Sequence, residues 1–372
     1  MTLRKIPFIK PRIRGIDYLR AAKSINSGWL THGPYTKTFE SLLQSRYINK
    51  SALFTASCTA SLEMALMLAD LLPGDEVITT PMSWVATSNV ILHNSLKVKF
   101  VDVDARTGLL RAEDVEKAIS DKTKAIIVVH LHGQMVDMRK FASLGSKYNL
   151  KIIEDSAHCL EGSRDGIKPG ELSFAAAFSF HAAKNITSGQ GGAIVLAQSM
   201  KDQALMCRRD GVRNNSLDIR VMERWGGKYD STDFQAALLI GQLKRIKKQH
   251  SIRLRNLTTY QDFFAKNGIR FAQTENGVVH AAHMMAIHVD KSKRNSIRAH
   301  LSENGISTSV HYPAIHLEPY YQQRFGYRMG DFPNAEELGF STITLPMYAT
   351  LTEGNVRRVC NRVLNAIRDA KN

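Results

Sequence analysis

The chain has 372 residues, enough for one large domain with a smaller one attached, or for two comparable domains. Its 44% hydrophobic and 23% charged residues are ordinary for a globular protein, and no apolar run is long enough to span a bilayer. The N-terminus lacks the apolar core of a signal peptide, and the four cysteines form no CxxC pair. These features argue against a disulfide framework or a zinc site and predict a cytoplasmic protein with reduced thiols.

The charge balance is less ordinary, because 50 Lys and Arg against 34 Asp and Glu leave a formal net charge of +16. Basic residues cluster at 5–14 and 244–255, without interleaved aromatic residues and without helix-turn-helix or zinc-finger spacing. A solvated basic surface is the simplest interpretation. Attraction of small polyanionic substrates comes next, and nucleic-acid binding comes last.

The first half of the chain alternates short β-rich runs with helical stretches. Strands are predicted at 52–57, 76–80, 98–103, 125–131, 151–154, 175–180 and 193–196, and helices at 59–71, 86–93, 112–120 and 138–148. The run at 125–131 is almost continuously apolar, as expected for a parallel strand covered on both faces. This alternation predicts an α/β protein with a mostly parallel, seven-stranded sheet and right-handed crossovers.

The pattern changes after about residue 200. Helices are predicted at 201–209 and 232–248, the second continuing towards Tyr260. Strands at 283–289 and 307–311 and helices at 294–304 and 352–370 then predict a smaller α/β domain. We place the boundary inside the long helix. This gives a large domain at 1–245, with an N-terminal active-site segment, and a small C-terminal domain at 246–372.

One lysine stands out by its surroundings. Lys184 lies between an apolar strand and the glycine-rich stretch 189–192, and an earlier apolar run ends in Asp155. A lone lysine is usually a surface charge, and an acid at a strand end is often a helix cap or turn former. Ligands of open α/β sheets bind beyond such strand ends, however. A lysine and a carboxylate there can hold pyridoxal phosphate, the amine as a Schiff base and the acid on the pyridine nitrogen.

Six segments in a fixed order resemble the DegT/DnrJ-type sugar aminotransferases. They are 27–34 (SGWLTHGP), 57–62 (SCTASL), 154–158 (EDSAH), 179–185 (SFHAAKN), 310–313 (VHYP) and 330–336 (GDFPNAE). The resemblance covers nearly the whole chain and implies the fold-type-I transferase fold with pyridoxal 5'-phosphate (PLP, alternating with PMP) as cofactor.

The resemblance implies a role for each of three residues. Lys184 is the Schiff-base lysine, whose freed amine moves protons during catalysis. Asp155 pairs with the pyridinium nitrogen and strengthens the electron sink. His158 matches a position near the O3′ of the cofactor, although a lone histidine is more often structural.

The same resemblance implies a phosphate cradle at 57–60, where a strand ends and a helix begins. Thr59 and Ser179 add hydroxyl donors, and Cys58 stands where relatives often have glycine. A plain helix cap would use the same groups. Trp84 matches the aromatic residue that stacks on the pyridine ring, whereas an aromatic at such a junction is otherwise usually part of the core.

Asp230 departs from the family pattern. Relatives commonly carry an asparagine there, which contacts the cofactor phosphate of the neighbouring subunit. A carboxylate 4 Å from a phosphate charge would cost about 4 kcal/mol at an effective dielectric near 20. Alternatively, Asp230 caps the helix that starts near Thr232, and Lys228 reaches the phosphate in compensation.

Substrate contacts are implied at two loops. Trp29 begins the loop 29–34, which borders the active site, and Tyr312 lies in the segment 311–316, which closes over substrate in the family. His316 and His311 either contact sugar hydroxyls or are structural. The implied reaction moves an amino group from L-glutamate to a nucleotide-linked keto-deoxysugar for polysaccharide or glycan biosynthesis, in a homodimer with shared active sites.

Three rival interpretations remain. Related sugar dehydratases keep the fold but typically replace the lysine with histidine, so Lys184 argues against them, although His181 lies close by. A regulatory or nucleic-acid-binding protein is suggested by charge alone. A catalytically silent subunit is suggested by Cys58 and Asp230.

Overall fold

The protein is described by a computed structural model covering residues 5–370. Its strands are β1 (Lys50–Thr55), β2 (Glu76–Thr79), β3 (Lys97–Phe100), β4 (Thr123–Val129), β5 (Lys151–Asp155), β6 (Ser163–Arg164), β7 (Ala175–Ser179), β8 (Gly192–Ala197), β9 (Val212–Asn214), β10 (Arg220–Met222), β11 (Arg270–Phe271), β12 (Val278–Val279), β13 (Met285–His288) and β14 (Thr342–Leu345).

The helices are α1 (Gly15–Asn26), α2 (Pro34–Gln44), α3 (Cys58–Leu68), α4 (Ala86–His93), α5 (Ala112–Ala118), α6 (Met138–Tyr148), α7 (Lys201–Cys207), α8 (Asp233–Lys244), α9 (Ile246–Lys266), α10 (Arg294–Glu303), α11 (Pro319–Phe325), α12 (Pro333–Ser341) and α13 (Glu353–Asp369). Several begin where the sequence provides a cap or a proline. Thr232 and Gln235 form a capping box on α8, and Pro34, Pro319 and Pro333 occupy the first turn of their helices.

Within residues 5–370, seven strands form the central sheet in the order β1-β8-β7-β5-β4-β2-β3. The pairs among β7, β5, β4, β2 and β3 are parallel, and β8 runs antiparallel to both of its neighbours. Each of the seven predicted strands lies in this sheet, with ends shifted by a few residues. The predicted fold class is therefore confirmed.

Both faces of the sheet are covered by helices, which explains the apolar run in β4. All five residues from Ala125 to Val129 are buried, as is Ile153 on the adjacent β5. α3 and α4 pack on one side through residues such as Leu66 and Ile91, and α2 and α8 pack on the other through residues such as Phe39. Because the layers hold the strand ends rigidly, side chains that follow those ends have fixed positions.

The C-terminal part has its own core. The antiparallel sheet β11-β13-β14 packs with α9, α10 and α13. Ile6 also belongs to this core and forms a parallel bridge with Ile306, so this N-terminal residue packs with the C-terminal part of the chain. The boundary at 245/246 stays a prediction. A single boundary there assigns Ile6 to the large domain, although Ile6 packs in the C-terminal core.

Two predicted elements were wrong. The predicted helix 232–248 is interrupted at Arg245, which leaves helical geometry and pairs with Asp17 of α1. The predicted strand 307–311 is reduced to an isolated bridge between Ser309 and Thr344. Between them, β11 and β14 flank β13, and the sequence interpretation missed both of these strands.

None of the helices in the part of the chain that the structure describes is both long enough and apolar enough to cross a membrane. The cysteines Cys58, Cys159, Cys207 and Cys360 are free and buried.

Candidate active site

A cavity of about 470 Å³ opens at the carboxyl ends of the parallel strands. Its lining includes eight of the residues predicted for cofactor or substrate binding: Cys58, Thr59, Trp84, Asp155, His158, Ser179, Lys184 and Tyr312. They come from strand ends, helix starts and the C-terminal loop, so only the folded chain brings them together.

Lys184 lies at the end of a local turn within the loop that joins β7 to β8. Its N–H donates to the carbonyl of His181 over 2.9 Å, and the turn closes through the N–H of Ala182 and the carbonyl of Gly189. Gly189 has a φ of 84°, a left-handed conformation that glycine adopts without strain. Burial lowers the pKa of Lys184 to about 8, although the nearby Cys58 and Asp155 act in the opposite direction. A larger fraction of this amine is therefore a free base near neutral pH than is the case for an exposed lysine.

Asp155 ends β5, and its carboxylate is held in place from several sides. Oδ2 accepts a 2.7 Å hydrogen bond from Thr87, while Oδ1 accepts one from the N–H of Ala157 at 3.1 Å. The thiol of Cys58 lies 3.8 Å from Oδ1. Asp155 is 7% exposed, so these contacts hold its carboxyl group in a fixed position in the wall of the cavity.

The start of α3 forms another wall of the cavity. The hydroxyl of Ser57 accepts a 3.0 Å hydrogen bond from the N–H of Ala60, which caps the helix. Burial, together with the neighbouring Asp155, raises the pKa of the Cys58 thiol well above its usual value. The thiol is thus neutral and donates weakly to the carboxylate. The N-terminus of α3 presents backbone N–H groups and a favourable dipole for an anion.

Gly192 explains why the glycine-rich stretch ends where it does. An added Cβ at this position would overlap the carbonyl of Ser57 and the amide of Cys58. Only glycine therefore allows β8 to approach the start of α3 so closely.

His158 is buried beside Tyr312 and is electrically neutral. Its Nδ1 accepts the backbone N–H of His132 at 3.2 Å, and its Nε2 lies 3.2 Å from the Tyr312 hydroxyl. Burial lowers the pKa of His158 well below 6.5, and the positive charge of Lys184 adds to the effect. Because Nδ1 is an acceptor, the single proton of the neutral ring sits on Nε2 and points towards Tyr312.

Trp84 forms the rim of the cavity. It is 61% exposed, and its ring lies 6.1 Å from that of Tyr312, tilted by 49°. The indole is therefore not part of the core and is free to cover a flat ligand.

Asp230 lies outside this cavity. Its carboxylate is 3.2 Å from the ammonium of Lys228 and 3.9 Å from the guanidinium of Arg209. The suggestion that it caps α8 was wrong, because Thr232 caps that helix. The carboxylate is instead compensated by two cations, which weakens the repulsion that it would exert on a phosphate.

Trp29 and His316 also lie outside the cavity. Trp29 is 58% exposed, and its indole N–H donates to the carbonyl of His32. His316 is fully buried, and its Nε2 is 2.9 Å from the carboxylate of Glu336. This contact gives His316 a structural place and removes the basis for the prediction that it binds substrate.

Several lining residues were not predicted. Thr87 and Ser83 form a hydrogen-bonded chain that ends on Asp155, and the cavity wall also includes Gln190 and Met284. Thr87 and Asp155 are 68 residues apart. A polar pair one helical turn apart at the start of α4 was the only sequence signal, and it is also typical of an ordinary helix start.

Comparisons with known proteins bear on this geometry. The profile of the DegT/DnrJ/EryC1/StrS aminotransferase family matches residues 12–364. The chain belongs to this aminotransferase family.

Individual relatives extend over the same length. The spore coat polysaccharide biosynthesis protein SpsC of Bacillus subtilis is 31% identical to this chain. The match covers 98% of this chain and 96% of SpsC. The structure of Spr1654 from Streptococcus pneumoniae in its PMP form superposes on this chain with a TM-score of 0.93. The two sequences are 27% identical, and the match covers 99% of both chains. A PLP form of Spr1654 is also known. PseC of Helicobacter pylori, an aminotransferase involved in the biosynthesis of pseudoaminic acid, gives 0.93 at 26% identity, over 98% of this chain and 100% of PseC.

Members of this family depend on PLP, and the residues present here fit that cofactor. The cavity joins an amine of lowered pKa, a fixed carboxylate, an anion-binding helix start and an exposed indole. The donor set thus offers one group each for an aldehyde, a pyridinium nitrogen, a phosphate and an aromatic face.

Proposed function

We propose that the protein transfers an amino group from L-glutamate to the keto carbon of a deoxysugar linked to a nucleotide diphosphate, for polysaccharide or glycan biosynthesis. The observation that carries the proposal is that Lys184 and Asp155 line one cavity while burial lowers the pKa of the lysine to about 8. The relationship to SpsC, a polysaccharide biosynthesis protein, supports a sugar as the amino acceptor.

Lys184 is assigned the binding of the cofactor and the movement of the proton. Bound PLP supplies an electron sink for the carbon that carries the amine. The Nζ of Lys184, once free, takes the proton from the α-carbon of glutamate and delivers one to the sugar carbon in the second half of the cycle. Since its pKa is lowered to about 8, less free energy is needed to convert the ammonium into the base that accepts the proton than for an exposed lysine.

The other residues are assigned positioning and electrostatic work. Asp155 holds the proton on the pyridine nitrogen, and the N-terminus of α3 with Thr59 and Ser179 binds the phosphate. Trp84 covers one face of the ring. His158, neutral and with its proton on Nε2, donates to an oxygen beside it without adding a charge.

A homodimer is part of the proposal. α1 exposes Ile16, Tyr18, Leu19 and Ile25, and the antiparallel pair β9-β10 with the residues just after it exposes Leu217, Ile219 and Trp225. Apolar surface of this extent suits an interface between two copies of the chain. The placement of Asp230 outside its own cavity is compatible with a position near the cofactor phosphate of the partner.

A half-reaction tests the proposed function. L-Glutamate is added to the purified yellow enzyme without any sugar. We expect the cofactor absorbance to change and one equivalent of 2-oxoglutarate to form per active site. A panel of nucleotide keto-sugars then identifies the acceptor. If a sugar of the panel loses a hydroxyl group as water and no 2-oxoglutarate forms, the result would contradict the proposal and support a dehydratase.

A further inference from the structure

A second, much smaller cavity adjoins Lys184. Its volume is 20 Å³, which has room for about one water-sized group. The walls come from the N-terminal segment 9–12, the lysine turn, α9 and the segment 347–349. Because Lys184 lines both cavities, a small group on a molecule bound at this lysine can enter the second cavity while the rest stays in the larger one.

The small cavity carries unbalanced positive charge. Lys10 and Arg12 both line it, and neither forms an ion pair with any residue in the range 5–370. Arg253 lines it too, but its charge is cancelled by a buried ion pair with Glu161. Asn185 further fixes Glu161 with a 3.0 Å hydrogen bond from Nδ2. The local surplus of two cations favours an anion.

Gln249 provides an independent sign of a ligand. Its side chain is 3% exposed and lines the small cavity, yet its Nε2 has no hydrogen-bond partner. Buried amide donors in native proteins are almost always paired, since an unpaired one loses its hydration without compensation. An acceptor oxygen in the cavity would complete this donor.

We propose that this cavity is the subsite for a carboxylate of the amino donor, held by Arg12 and Lys10 and by the Nε2 of Gln249. The inference rests on the proposed aminotransferase function. The α-carbon of an amino acid must reach Lys184, and its carboxylate is one bond away from that carbon. One oxygen of that carboxylate is about the size of the water-sized group that the small cavity can hold, and the side chain of the donor stays in the larger cavity. The amino sugar has no such carboxylate, so this subsite serves only the donor half of the cycle.

The test compares Arg12→Gln and Gln249→Leu with Lys266→Gln, which removes a cation from an exposed position on α9. Calorimetry measures 2-oxoglutarate binding to the PLP-loaded enzyme, and single-turnover spectra give the apparent dissociation constant of L-glutamate. Methylamine, a primary amine without a carboxylate, reports on the lysine alone. We expect both dicarboxylates to bind about 10- to 100-fold more weakly to Arg12→Gln and Gln249→Leu, the range for one charge-assisted hydrogen bond. Methylamine and Lys266→Gln should show no change.

Unchanged 2-oxoglutarate binding in Arg12→Gln would overturn the subsite, and so would an equal loss for methylamine. Arg12 is partly exposed, so this variant remains informative if Gln249→Leu fails to fold. The proposed function fails by a different result, namely no reaction of the unaltered enzyme with L-glutamate. In that event, the calorimetry still decides whether a carboxylate binds here.

Discussion

Thr87 Oγ1 donates a 2.7 Å hydrogen bond to Oδ2 of Asp155 and so fixes the carboxylate that faces Lys184 across the cavity. Ser83 lies 2.9 Å from Thr87 Oγ1. Because the single hydroxyl proton of Thr87 points at Asp155, Ser83 must donate to Thr87, and the chain runs from Ser83 through Thr87 to Asp155. This directionality gives Asp155 a hydroxyl donor and orients its carboxyl group at the position proposed for the pyridinium nitrogen.

Thr87→Val tests that relationship. The substitution keeps the shape of the side chain but removes the donor, so we expect PLP to bind about tenfold more weakly. Thr87→Ser, which keeps the hydroxyl, should retain wild-type affinity. Cofactor titration of the apoenzyme by fluorescence measures both. An unchanged dissociation constant in Thr87→Val would show that Asp155 does not depend on this donor.

Lys184→Ala removes the amine on which the proposed function depends. We expect turnover to fall by at least about 1,000-fold and the visible absorbance of the bound cofactor to disappear, because nucleophile and proton carrier are lost together. Lys140→Ala, at an exposed residue of α6, serves as the control and should keep both signals. A Lys184→Ala enzyme that remains yellow and active would refute the assignment.

The pKa of Lys184 predicts a pH dependence with a definite sign. Its folded-state pKa of about 8 lies below the usual value near 10.5, so the amine is protonated below pH 8 and becomes a nucleophile above it. In the apoenzyme, the reactivity of Lys184 should therefore rise with a midpoint near pH 8, below the pH at which exposed lysines become reactive. Competitive acetylation followed by mass spectrometry resolves the individual residues. A Lys184 midpoint equal to that of the exposed lysines would contradict the effect of burial.

The sequence predicted the sheet and most of the cavity, and it failed where long-range packing decides. The seven strands were predictable because short hydrophobic runs alternate along the chain with segments whose apolar residues recur at helical spacing. Lys184 and Asp155 were predictable because each follows a strand end. The break at Arg245 has no proline to mark it and depends on Asp17, more than 200 residues away in sequence. The buried pair of His316 and Glu336 was hidden for the same reason, since local sequence does not reveal the partner.

Asp230→Asn tests the departure from the family pattern. The carboxylate is compensated by Lys228 and Arg209, so removing it would leave two cations free to attract a phosphate. If Asp230 faces the partner's cofactor, we expect PLP affinity to rise about two- to tenfold at low salt, and the gain to shrink as salt screens the charges. Affinity that does not respond to the substitution would mean that the carboxylate is not near the phosphate.

The exposed face of α1 predicts the assembly. Ile16 and Leu19 are 49% and 59% exposed, and a double substitution to glutamate would place two charges in an apolar interface. We expect the double variant to be monomeric by light scattering at concentrations where the unaltered protein is a dimer. Ile48→Glu, at a site that is 86% exposed, is the matched control and should remain dimeric. If the active sites are shared, the monomer should also lose PLP affinity, whereas a monomeric variant with full activity would show that each chain carries a complete site.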